Sequence, residues 1–444
     1  MLNKPLYIVL TIVLLFIHIS AQQWEFTGLQ NENVSTIVID PSDDLRVYAG
    51  SLSNFSDGTW GKIFKSIDGG STWDTLLYGV SVNQIVIHPN DSNILYATLG
   101  AANNSPSGII KTVDGGNSWA QADSGIDVDW ETDVLPLAID PHHPDTLFAG
   151  TVGFFGGTLY KSIDGGQFWY DIGEQISDNN IHEIVIDHSN SQIVYVGTFG
   201  IGKIFKSYDG GDNWEVISPW FEPGGVTALA IDPEESDRIY AGLSQFGFFL
   251  SNDGGSTWVE IDSSLTADNF TSIVISPTNH EEIYLSTWDG GVFKSSDAGS
   301  SWVVLNSGLS SLAVNSMVIS ASGGQLYCSL WEGGIYRSSS SILIKGFEFI
   351  PNEFKLYQNY PNPFNDVTTL KYHIPKAGIV ALEILDVKGR TTRTLVDYLY
   401  QTPGDYKVLW NGKDAFGANV SSGVYIMKIT NKSSVRTKKL IFLK

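Results

Sequence analysis

Ser66-Ile-Asp68-Gly69-Gly70-Ser-Thr-Trp73 decides the fold, because the chain writes it again and again. Copies follow at Thr112-Val-Asp114-Gly115-Gly116-Asn-Ser-Trp119, Ser162-Ile-Asp164-Gly165-Gly166-Gln-Phe-Trp169, Ser207-Tyr-Asp209-Gly210-Gly211-Asp-Asn-Trp214, Ser251-Asn-Asp253-Gly254-Gly255-Ser-Thr-Trp258 and Ser295-Ser-Asp297-Ala298-Gly299-Ser-Ser-Trp302. Successive copies start 46, 50, 45, 44 and 44 residues apart. A period of about 40–45 residues built on short strands indicates a propeller or a related array. Two glycines supply positive φ without a Cβ penalty, and the Asp carboxylate can accept N–H groups inside the turn. The Trp can then pack between neighbouring units.

Working outward, each unit opens on a short apolar strand: Ile37-Val-Ile-Asp40, Ile85-Val-Ile-His88, Leu137-Ala-Ile-Asp140, Ile184-Val-Ile-Asp187, Leu229-Ala-Ile-Asp232, Ile273-Val-Ile-Ser276 and Met317-Val-Ile-Ser320. Pro follows in five of the seven and cannot continue a ladder, so a turn is expected there. A second strand such as Val47-Tyr-Ala-Gly50 and an alternating third strand such as Gly61-Lys-Ile-Phe-Lys-Ser66 complete the approach to the Asp turn. Four strands joined by tight turns make one antiparallel blade. The seventh unit ends in Ser339-Ser-Ser341 and lacks both Gly-Gly and Trp, whereas Trp24-Glu-Phe-Thr-Gly28-Leu29 is a Trp strand without a preceding turn. The N-terminal strand is therefore expected to complete the last blade of a seven-bladed, all-β ring, leaving no open sheet edge.

The chain has 444 residues, 45 Gly, 54 aromatic residues and one Cys, which suits a glycine-turned β protein without disulfides. Cys328 is expected to be a small core residue. Lys4 followed by an apolar run from Leu6 to Ile19, with small residues before Gln22, reads as a signal peptide over residues 1–21. No membrane span is expected after its cleavage. The net charge of −22 divides into −28 over residues 1–345 (12 basic, 40 acidic) and +6 over 346–444 (14 basic, 8 acidic). So acidic a first part disfavours nucleic-acid binding. The eight His show no zinc spacing and no glycine pair opens a helix, so neither metal nor cofactor is expected.

The six turns resemble Asp-box (BNR) repeats, with Asp68, Asp114, Asp164, Asp209, Asp253 and Asp297 as structural box residues, and residues 22–345 resemble the seven-bladed Asp-box propellers. That family includes sialidases, two-propeller xyloglucanases, sortilin-type receptors and photosystem II assembly factors, so the fold leaves function open. The resemblance to sialidases implies an Arg triad, yet this part holds only Arg46, Arg238 and Arg337, all at framework positions of the repeat. A different glycosidase requires two carboxylates roughly 5–10 Å apart. No catalytic residue is assigned; Asp129 and Glu131, in the irregular loop 123–133, are the acids on which a hydrolase reading would turn.

Residues 346–444 change pattern. Alternating strands at Leu370-Lys-Tyr-His-Ile374, Val380-Ala-Leu-Glu-Ile-Leu385, Asp405-Tyr-Lys-Val-Leu-Trp410 and Gly423-Val-Tyr-Ile-Met-Lys-Ile429 predict a small immunoglobulin-like β-sandwich. Tyr360-Pro-Asn-Pro-Phe364, Ser421-Ser-Gly-Val-Tyr425 and Lys438-Lys-Leu-Ile-Phe-Leu443 resemble the C-terminal sorting domain of the type IX secretion system. The resemblance implies export across a Gram-negative outer membrane and the secretion machinery as partner.

On the face opposite the Asp turns the loops collect Trp60, Trp130, Phe155, Phe199, Trp220, Phe246, Trp288 and Trp331. Aromatic residues in loops beside carboxylates suit stacking on sugars or anchoring a protein. The expected function is a secreted or cell-surface monomer that binds an extracellular glycan or protein there. The alternative is an extracellular glycoside hydrolase, xyloglucanase-like rather than sialidase-like.

Overall fold

The computed structural model describes residues 23–339 and 354–443, apart from loops at 55–57, 101–106, 129–131, 155, 177–179, 201, 219–223, 246, 262–264, 266–268, 358, 360, 366, 375–377, 402–403 and 432–433. The proposed signal peptide lies outside the described residues. The chain divides into two compact units, up to Leu343 and from Ile344.

The first unit contains seven four-stranded antiparallel sheets, taken here as blades 1 to 7. Blade 1 comprises Val34–Asp40, Asp43–Ser51, Lys62–Ser66 and Asp74–Tyr78. The innermost strands of blades 2 to 7 are Val82–Ile87, Thr132–Ile139, Ile181–Ile186, Val226–Ile231, Phe270–Ser276 and Val314–Ile319. Each touches the innermost strand of the next blade, and that of blade 7 touches that of blade 1, so the ring closes. As expected, Glu25–Gly28 is the outer strand of blade 7, paired with Gly334–Ser339. Trp24, 2 % exposed, packs into the blade 7 core and donates its indole N–H to Leu305 O at 2.6 Å.

The second strand of each blade is buried on both faces, which explains its continuous apolar run. In blades 1, 3, 4 and 5 its glycine answers a close approach. A Cβ on Gly50 would meet Val82 Cγ1 at 2.4 Å, and one on Gly197 would meet Val226 Cγ1 at 2.6 Å. The neighbouring blade's innermost strand occupies that space. Cys328 is fully buried in blade 7, and burial pushes its thiol well above the usual range.

The Asp turns are saturated with hydrogen bonds. Asp68 accepts the Thr72 N–H and hydroxyl at 2.8 and 2.7 Å and the Ser66 hydroxyl at 2.8 Å. Bonds from Thr72 and Ser66 lower its pKa to about 2 although it is exposed. The turn is also a latch. Lys65 Nζ donates to Gly115 O of the next blade at 3.1 Å, and Lys111 and Tyr96 donate to Gly165 O at 2.8 and 2.9 Å. Across the closure Arg337 and Tyr327 both donate to Gly69 O at 3.0 Å. On the same face Arg46 pairs with buried Asp40 at 2.8 Å and Arg238 with buried Asp232 at 3.0 Å.

The second unit packs a three-stranded sheet (Lys355–Leu356, Thr368–Ile374, Gly404–Trp410) against a four-stranded one (Thr391–Gln401, Gly378–Leu385, Gly423–Asn431, Ser434–Phe442). Both contribute to one core containing Leu370, Tyr372, Leu382, Trp410, Met427 and Phe442. It is a small β-sandwich.

Candidate functional site

Every innermost strand of the propeller is irregular at the same place. The pairing register shifts at Ser35, Asn83, Leu135–Pro136, His182, Thr227, Thr271 and Asn315. A bulge adds a residue to one strand and re-aims its side chains. Seven bulges in phase turn these residues and their successors onto the axis, where they line one polar cavity of about 340 Å³. This end of the channel adjoins the loops that follow the second strands, and so faces away from the Asp turns. On the other side a cavity of about 320 Å³ between blades 3 to 5 is lined mainly by apolar residues such as Ala138, Val185 and Ala230.

Most polar residues of the mouth tie blades together. Ser35 donates to Val82 O at 2.5 Å and Asn83 to Val134 O at 2.9 Å. Asn315 donates to Val34 O at 3.0 Å, across the closure. Thr36 accepts the Ile85 N–H at 3.3 Å, and Gln84 accepts the Leu137 N–H at 2.6 Å. Glu183 holds the position of Thr36 and Gln84 in blade 4 but accepts no hydrogen bond among the described residues. Burial alone pushes its carboxyl up to about 8. His182 beside it is lowered to about 4 by burial. Both keep some surface open to the channel while protein surrounds them.

Three predicted aromatic residues stand at this mouth. The N–H of Phe199, Trp288 and Trp331 binds the carbonyl of Asn180, Asn269 and Ala313, just before the innermost strands of blades 4, 6 and 7, at 2.9 Å each. Phe199 stacks on His182, with centroids 5.0 Å apart and planes at 29°. Trp288 and Trp331, 41 % and 40 % exposed, form an edge-to-face pair at 5.0 Å. Trp60 lies half-buried after the second strand of blade 1. Trp130, Phe155, Trp220 and Phe246 lie outside the described residues, as do Asp129 and Glu131. Asp133, from the same irregular loop, is described: its carboxylate and the Asn83 amide would lie 3.3 and 3.2 Å from a Cβ on Gly100.

Reading the repeats one motif at a time misses Glu183 and His182. Aligning the residue before each apolar triplet finds the first: Thr36, Gln84, Pro136, Ala228, Ser272 and Ser316 are uncharged, and Glu183 alone is acidic. One position earlier, His182 alone is titratable. Among the described residues no three His, Cys, Asp or Glu form a metal-binding group, and no helix is long and apolar enough to cross a membrane.

The chain is similar to a xyloglucanase of Paenibacillus sp, with 30 % identity over 217 residues, covering 40 % of this chain and 21 % of the relative. It thus spans about a fifth of that relative's length. Among solved structures an ancestral GH74 enzyme superposes with a TM-score of 0.56 at 15 % identity, covering 95 % of this chain and 64 % of the other. YCF48 from Cyanidioschyzon merolae gives 0.53 at 13 % identity, covering 71 % and 98 %. At such identities the likeness concerns the fold. Residues 358–443 match the secretion system C-terminal sorting domain. The protein carries its own export address and is an extracellular or cell-surface protein.

Proposed function

We propose that this is a type IX-secreted Asp-box propeller that binds an extracellular glycan at the channel mouth, without catalysis of its own. In this reading residues 1–21 are a signal peptide, 22–345 the monomeric binding propeller and 346–444 the sorting domain. The observation that carries it is the Trp288–Trp331 pair, two large rings left about 40 % exposed at the rim of a polar channel. Indole faces stack on the apolar C–H faces of sugars, and a concave polar channel beside them gives such a ligand a place to enter. The Asp residues of the turns are unsuited to chemistry because each is occupied by its own turn, as at Asp68 and Asp114.

Binding of a plant-type polysaccharide panel to the full chain, measured by glycan array and calorimetry, tests this. Trp288→Ala and Trp331→Ala are each expected to weaken the best ligand by tenfold or more, about 1.4 kcal/mol. Unchanged affinity in both would remove the reading. A second reading, glycoside hydrolysis, is favoured by the sequence similarity to a xyloglucanase. Turnover of xyloglucan by the wild-type chain, abolished in Asp129→Ala or Glu131→Ala, would establish it in place of pure binding.

A further inference from the structure

Among the described residues Glu183 is a carboxyl without a hydrogen-bond partner, in a channel where its sister residues Thr36 and Gln84 have one. Thr36 and Gln84 accept an N–H from the next blade, whereas Glu183 accepts nothing among the described residues. A surrounded carboxylate is costly unless an opposite charge or donors meet it. A ligand reaches it through the polar cavity that it lines together with His182, on whose ring Phe199 stacks. The 28 excess negative charges of residues 1–345 favour a cation there.

We propose that the polar channel mouth binds an organic cation, an ammonium or guanidinium group, paired with Glu183 and flanked by the Phe199 ring. The donor set selects this class. One carboxylate with a neighbouring aromatic face suits a monovalent organic cation. A hard divalent ion takes six to eight oxygen ligands, and the amide and hydroxyl groups of the mouth are largely spent on joining blades.

The groups around Glu183 leave it the charge that decides binding. On its own strand stands His182, which burial keeps neutral at pH 7. Of the neighbouring strands, Thr132–Ile139 brings Asp133, placed beside Asn83 and Gly100, while Val226–Ile231 and Leu147–Gly153 bring no titratable group. Val194–Thr198 brings Tyr195, whose ring is buried beneath Lys206. A carboxyl titrating near 8 is mostly protonated at pH 7, so a cation that pairs with it displaces its proton to solvent.

The test is calorimetric titration of the full chain at pH 7 with methylguanidinium or n-butylammonium chloride, in two buffers of different ionisation heat. Saturable binding with net proton release is expected from a group titrating near 8. Glu183→Gln should lose at least tenfold in affinity and release no proton. Its melting temperature at pH 8 should be no lower than that of the wild type, since an uncharged amide removes the buried charge. Blocked lysine and arginine peptides assign the source: tighter binding than the small cations indicates a partner's side chain, and equal binding a free amine. Equal affinity in wild type and Glu183→Gln, no proton release, or no binding at about 10 mM cation would overturn the proposal. Because Trp288→Ala and Trp331→Ala leave Glu183 in place, failure of the glycan reading and failure of this one are distinguishable.

Discussion

Ala298 shows how tightly a single residue is specified by this repeat. It takes the place of the first turn glycine in blade 6 and is held at φ 53°, where Gly69 has 69° and Gly254 has 67°. An L side chain in the left-handed region costs on the order of 1 kcal/mol. Ala298→Gly should therefore stabilise the protein by about 0.5–1 kcal/mol, less the entropy that glycine adds to the unfolded chain, read as a raised denaturation midpoint. The turn aspartates act in the other direction with pH. Asp68, Asp114 and Asp209 are lowered to about 2 by hydrogen bonds within the turn. Their folded pKa lies below the unfolded value, so their contribution is present above pH 4 and lost as pH falls toward 2. Glu183 has the opposite sign: with a pKa raised to about 8, its ionisation opposes folding as pH rises above the unfolded value.

Among the elements, the N-terminal strand matters most for closure. Glu25–Gly28 supplies the outer edge of blade 7, and Trp24 anchors it through burial and its bond to Leu305 O. A buried Trp truncated to Ala typically costs about 3–5 kcal/mol. Trp24→Ala is expected to lower stability by that amount, and chemical denaturation followed by circular dichroism measures it. A loss below about 1 kcal/mol would mean that Arg337, Tyr327 and the innermost strands of blades 1 and 7 hold the ring without it. The element pattern was legible in sequence: four strands per unit, the Asp turn, and the borrowed Trp24 strand all follow from phase. The bulges were not, because a bulge changes pairing register without changing the apolar triplet beside it.

For the whole molecule, two units divide the work. Residues 358–443 match a sorting domain, and the acidic propeller carries the channel mouth. A chain ending at Lys345 should fold its propeller and remain in the periplasm, whereas the full chain reaches the medium or the cell surface. Fractionation of the producing bacterium measures this, and equal export of the two would refute the sorting role. The seven-fold ring explains why catalysis and binding are hard to separate by motif. Every blade repeats the same framework, so the proposed binding roles fall on departures from it, such as Trp288, Trp331 and Glu183.

By itself the sequence determined the blade unit, the closure by the N-terminal strand, the hydrogen-bonded Asp turns and the sorting tail. Each of these is local or periodic, and so survives as spacing in one dimension. Tertiary structure alone decided the convergence of seven bulges on one axis and the pairing of Trp288 with Trp331 across two blades. It also decided that, among the described residues, Glu183 lacks the hydrogen bond that Thr36 and Gln84 accept. Residues about 45 positions apart in the chain become neighbours only when the ring closes. A carboxyl's surroundings, and hence its charge, are then fixed by groups from other blades rather than by its neighbours in sequence.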